Sequence, residues 1–139
     1  MLKSIFLNLI LLLSLLFSFS CNKVDNSRAT QAKKGKVLFQ KYCVSCHGVD
    51  GTGNGIAAGE LKNKPADLTA INKLRKTNQF PIGEIARYID GRATIKSHGS
   101  REMPIWGTVL MEKEHLQSND DLKGKLGEII AYLMSIQKQ

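Results

Sequence analysis

Apolar and polar residues fall along this chain in distinct regimes. Residues 5–19 form a nearly unbroken apolar run, interrupted only by Asn8, Ser14 and Ser18. Beyond it the pattern turns periodic. Ala32, Gly35, Leu38, Phe39 and Tyr42 recur at three- and four-residue intervals, with Lys33, Lys34, Lys36, Gln40 and Lys41 between them. That spacing predicts an amphipathic helix over 29–43. Ile82, Ile85, Ala86 and Ile89 predict the buried face of another helix over 82–90, with Pro81 at its start and Gly91 closing it. Leu122, Leu126, Ile129, Ile130 and Leu133 form one face of a closing helix, and Ser118-Asn119-Asp120-Asp121 reads as its cap. Thr69 is placed to cap a short helix running to about Lys76. Residues 92–108 read as a loop containing Met103-Pro104-Ile105-Trp106-Gly107. No stretch alternates with the two-residue period of a strand and no repeat occurs, so the expected class is all-α.

The chemistry lies where the first periodic segment ends, at Cys43-Val44-Ser45-Cys46-His47. On a helical turn, residues three apart face the same way. Two thiols so placed can each add across one vinyl group of a haem, and the adjacent imidazole can then reach the iron. The competing readings are a redox dithiol and half of a zinc site. The first belongs in a βαβ setting and the second needs another ligand pair; the sequence offers neither. Five glycines follow within residues 48–59. They lack the G-x-x-x-x-G-K-[ST] pattern of a phosphate loop and suit a backbone that wraps closely around a flat cofactor. Pro65, in Lys64-Pro65-Ala66-Asp67-Leu68-Thr69, carries a carbonyl able to accept a hydrogen bond from the second nitrogen of His47. Gly35 is costly inside a helix unless another backbone comes close, which predicts a helix crossing there.

Charge and cysteine usage narrow the setting. The 139 residues allow one domain, and 20 Lys and Arg against 12 Asp and Glu give a net charge of +8. The lysines are spread through helical patterns without interleaved aromatics, which excludes a nucleic-acid reading. An acidic redox partner or an anionic membrane surface fits the charge better. Cys43 and Cys46 are committed to the motif, and Cys21 is the third cysteine, so no pair is left for a disulfide. Lys3 and the short apolar run predict an export signal over residues 1–20. Ser18-Phe19-Ser20-Cys21 resembles a bacterial lipoprotein signal, in which the cysteine is acylated; Phe19 and the missing leucine depart from the commonest form. Residues 21–28 then read as a polar tether of at most roughly 25 Å, and residues 29–139 as the folded domain.

Taken in this order, these residues resemble the small class I c-type cytochromes of bacteria. The likeness covers the chain from about Ala29 onward. It rests on Gly35 and Phe39, the Cys43–His47 motif with Gly48, the glycine-rich loop, Pro65-Ala66-Asp67-Leu68, Met103-Pro104, Trp106-Gly107 and Tyr132-Leu133. The resemblance implies three to five helices around one covalently attached haem c, with the first and last helices crossing where Gly35 and Phe39 meet Tyr132 and Leu133. It also implies a methionine as the second iron ligand, on a loop before the last helix. Met103 beside the rigid Pro104 suits this best. Met111 lies among charged residues, and Met134 reads as core. His98 is the rival ligand, and His115 reads as exposed. Trp106, Arg92 and Arg101 are candidates to meet the propionates.

The implied function is electron transfer. Iron held by His47 and Met103 would have no open position for a substrate, so the chain is expected to be a carrier and not itself an enzyme. Redox proteins would be its partners and a lipid anchor would hold it in the bacterial cell envelope, facing the periplasm. The alternatives are the haem subunit of a periplasmic dehydrogenase or reductase and, if Met103 leaves the iron, a gas-binding sensor.

Overall fold

The computed structural model describes residues 22–91 and 103–138. The chain divides into two compact units, Met1–Thr30 and Gln31–Gln139. The second unit contains the elements that matter here. The signal segment and Cys21 lie outside the described residues, as do Arg92, His98 and Arg101.

Six α-helices are present among the described residues: α1 (Asn22–Tyr42), α2 (Val44–His47), α3 (Ile71–Leu74), α4 (Ile82–Asp90), α5 (Trp106–Lys113) and α6 (Asn119–Ser135). Two 3-10 turns, Ala58–Glu60 and Leu68–Ala70, join them, and no strand occurs among the described residues. The class is all-α, as the periodicity predicts. The helix count exceeds the expected three to five because α2 and α3 are single turns. No described helix is long and apolar enough to cross a membrane.

The core forms where α1, α4, α5 and α6 turn their apolar faces inward. Leu38 and Phe39 meet Ile85 and Ile89, Leu110, and Leu122, Leu126, Ile129, Tyr132 and Leu133 in one buried cluster. Phe39 and Leu110 are the largest fully buried side chains. The expected crossing is present. Gly35 lies against the backbone carbonyl of Glu128. Phe39 supplies the Tyr132 contact, with ring centroids 5.1 Å apart.

The helix ends show what local sequence encodes. Ser118 caps α6, accepting the Asp121 N–H at 3.1 Å while its hydroxyl donates to the Asp121 carboxylate at 2.8 Å. That reciprocal pair satisfies groups that would otherwise be orphaned at a helix start. Gly91 closes α4 in the left-handed region, at φ 97°, where a side chain would be strained.

Other expectations are corrected. Helix α1 begins at Asn22, so the segment read as a polar tether is helical. Asp67, not Thr69, caps the turn that precedes α3, and its carboxylate accepts the Thr69 N–H at 2.8 Å. Ile82 is 51 % exposed because it occupies the first position of α4, ahead of the buried Ile85 and Ile89. Met134, read as core, is 39 % exposed.

The expected loop over 92–108 ends early, because α5 begins at Trp106. The buried carboxylate of Asp90 lies against Gly107 in the first turn of α5. It arrives from another helix, which no local capping sequence reports.

Candidate cofactor site

Helix α1 delivers the site. The Cys43 N–H still bonds to the Phe39 carbonyl at 2.8 Å, so the helical path runs through the end of α1. One further turn follows, with His47 N–H to Cys43 O at 2.9 Å and Gly48 N–H to Val44 O at 2.9 Å. Cys43 and Cys46 are free thiols, both half-buried, three residues apart on this helical path. Burial, reinforced by the neighbouring Cys46, pushes the Cys43 thiol up to about 12. It therefore stays protonated at neutral pH.

The glycine-rich loop folds back along this turn. Gly53 N–H bonds to His47 O at 2.8 Å, Gly55 N–H to Cys46 O at 3.1 Å and Ala57 N–H to Ser45 O at 2.8 Å. These bonds satisfy the carbonyls that a short helix leaves open at its end. Two glycines are required by contact. A Cβ at Gly55 would overlap the Ser45–Cys46 backbone, and one at Gly53 would overlap the Pro65 carbonyl. Asp50 sets the loop's shape by accepting from the Thr52 N–H at 3.1 Å and the Thr52 hydroxyl at 2.9 Å.

Next to it, the segment after Pro65 orients His47. Nδ1 faces the Ala66 carbonyl at 3.2 Å. The expectation that Pro65 is the acceptor is thus corrected by one residue, since the Pro65 carbonyl packs against Gly53. Burial holds the imidazole below its usual value, and the bond to Ala66 partly opposes that shift. A neutral ring that donates from Nδ1 keeps the lone pair of Nε2 available to a metal.

Sequence reasoning missed a polar knot beside Cys43. Tyr42 donates to Glu114 Oε1 at 2.5 Å, and Lys41 Nζ bonds to the same oxygen at 2.8 Å. The Tyr42 ring lies 5.6 Å from that of Trp106, which is half-buried at the start of α5. Lys41, then Tyr42, hold the Glu114 carboxyl below its ordinary 4.5. These partners are separated by more than seventy residues, so no local pattern announces them.

A folded-state value below the unfolded one means that Glu114 contributes stability above its unfolded value and loses it as pH falls through the folded one. Glu114→Gln is therefore expected to flatten the acid limb of the stability profile. Urea unfolding between about pH 3 and pH 6 measures this.

Met103 and Met111 are both half-buried against the core cluster, while His115 is exposed. No cluster of three or more His, Cys, Asp or Glu side chains suited to a metal ion occurs among the described residues. The donor set nevertheless fits a haem. Two free thiols stand one helical turn apart with a neutral, oriented imidazole beside them, and the loop around them comes too close to admit side chains at Gly53 or Gly55.

A helical domain built to present that turn is a c-type cytochrome. Residues 30–117 match the family model described as cytochrome c oxidase, cbb3-type, subunit III, and the chain belongs to that family. Its cofactor is covalently bound haem c, and it is a haem-based electron carrier. No curated protein and no solved structure matches the chain.

Proposed function

We propose that this chain is a membrane-tethered class I monohaem cytochrome that carries single electrons on the periplasmic side of a bacterial envelope. Cys43 and Cys46 hold the haem through thioethers, and His47 and Met103 ligate its iron. The observation that carries this reading is the His47 ring, fixed through Nδ1 to Ala66 O at 3.2 Å beside two free thiols. When bound, the haem supplies a one-electron ferrous/ferric couple, and Met/His ligation sets a high potential. The protein's residues hold the ligand orientation constant, so that little rearrangement accompanies electron exchange. Trp106, with Arg92 and Arg101, is proposed to meet the propionates. The family description suggests an oxidase complex as the site of action, with a periplasmic dehydrogenase or reductase as the alternative.

The test is the optical spectrum of the purified holoprotein, oxidised and reduced, with and without carbon monoxide. A low-spin spectrum with a methionine–iron charge-transfer band and no response to carbon monoxide is expected. A high-spin or gas-responsive spectrum would remove Met103 from the iron and make the protein a gas-binding sensor.

In the same proposal residues 1–20 are a lipoprotein-type signal, Cys21 is the acylated first mature residue, and the cytochrome domain follows from residue 29. Cys21→Ser is expected to move the protein from the membrane fraction to the soluble fraction, as followed by haem staining of both. Retention in the membrane would mean an uncleaved anchor or attachment through another subunit.

A further inference from the structure

We propose that Ile136, Gln137 and Lys138, which follow α6, form a positioning clasp for the imidazole of His47. This rests on the reading of His47 as an iron ligand and adds a device that controls it. The His47 ring is aimed by the Ala66 carbonyl, and the segment immediately after Ala66 is gripped by these residues. The Gln137 amide donates from Nε2 to the Leu68 carbonyl at 2.7 Å and to the Leu133 carbonyl at 2.8 Å. Its oxygen faces the Asn72 N–H at 3.5 Å. The Lys138 N–H bonds to the carbonyl of the buried Thr69 at 2.8 Å. The Lys138 ammonium lies 3.8 Å from Asp67, the carboxylate that caps the same turn.

The clasp also reaches the other wall of the site. Ile136 packs on Gly51, whose carbonyl accepts the Leu68 N–H at 2.8 Å. Both backbone segments that touch His47, the glycine-rich loop and the Pro65–Ala66 stretch, are therefore tied to each other at Leu68 and to the end of α6. A single residue, Asp67, separates the Leu68 anchor from Ala66. Slack at Leu68 is thus transmitted to the acceptor of the Nδ1 hydrogen bond. A weaker Nδ1 bond makes the imidazole a poorer donor to iron, which disfavours the ferric state.

The test uses the full-length holoprotein with ¹⁵N-labelled histidine. Gln137→Met keeps the length of the side chain and removes both donated bonds. It is expected to raise the midpoint potential, changing the ratio of oxidised to reduced protein at fixed poise by about threefold. It is also expected to move the hyperfine-shifted ring-nitrogen signal of His47. Lys138→Pro, at an exposed position after α6, removes the N–H given to Thr69 and the ammonium beside Asp67 while leaving the Gln137 amide in place. It is expected to shift both readouts in the same direction by less, and it keeps the test open if the Gln137 variant folds poorly. Ser135→Ala, which breaks a hydroxyl bond to Tyr132 O within α6, is the control and should change stability alone. If the Gln137 and Lys138 variants lose stability while the potential and the His47 signal stay put, the segment is merely structural and the proposal fails. If the wild-type protein shows no hyperfine-shifted His47 nitrogen, His47 is not a ligand and the clasp falls with that reading.

Discussion

Gly35→Ala is expected to destabilise the protein by about 3 kcal/mol or more, while alanine at Gly124 or Gly127 is expected to stabilise it by up to about 1 kcal/mol each. All three glycines lie inside helices, where propensity alone favours alanine at every one. The surroundings reverse the sign at Gly35. A Cβ there would overlap the carbonyl of Glu128 and press on the Ile129 N–H, whereas nothing lies within 4 Å of the corresponding positions at Gly124 and Gly127. Backbone on both sides cannot rotate away as a side chain can. Helices α1 and α6 would have to separate, and the Phe39–Tyr132 pair would be pulled apart with them. Denaturant unfolding of the three variants measures the contrast. Equal effects at the three sites would mean that the crossing does not depend on close approach at residue 35.

Met103→Ala is expected to open the reduced protein to carbon monoxide and to lower its potential by on the order of 0.1 V or more. Met111 provides an internal comparison. Both methionines are half-buried against the same core, so truncating either should cost a similar amount of stability, roughly 1–3 kcal/mol. Only the residue that ligates iron should also remove the charge-transfer band and shift the potential. Optical titration of both variants separates packing from ligation. If the Met111 variant is the one that changes, the ligand moves to α5.

The parts of this fold that could be read from sequence are those whose cause is local. The Leu122–Leu133 periodicity carries its own helix, Ser118 its own cap and Gly91 its own termination. The short spacing of Cys43, Cys46 and His47 likewise places them on one turn before any tertiary contact is known. Where the cause is distant, reading failed or shifted. The start of α5 depends on Asp90 reaching Gly107, and the knot at Tyr42 depends on Glu114. The choice between Pro65 and Ala66 as partner of His47 was decided by which carbonyl Gly53 occupies. Gly35 announced a crossing from sequence, but its register against Glu128 is a property of two surfaces packed together.

The left-handed turn at Gly91 has a consequence for how this protein can vary. Gly91 lies so close to Ile105 that a Cβ would touch its side chain, and Asp90 meets Gly107 one step further along. These two contacts hold the end of α4 against the start of α5 as one corner. A side chain at Gly91 or at Gly107 would push the two helix ends apart, so neither position accepts even alanine without a shift of backbone. The corner is therefore the part of this fold least able to drift in sequence.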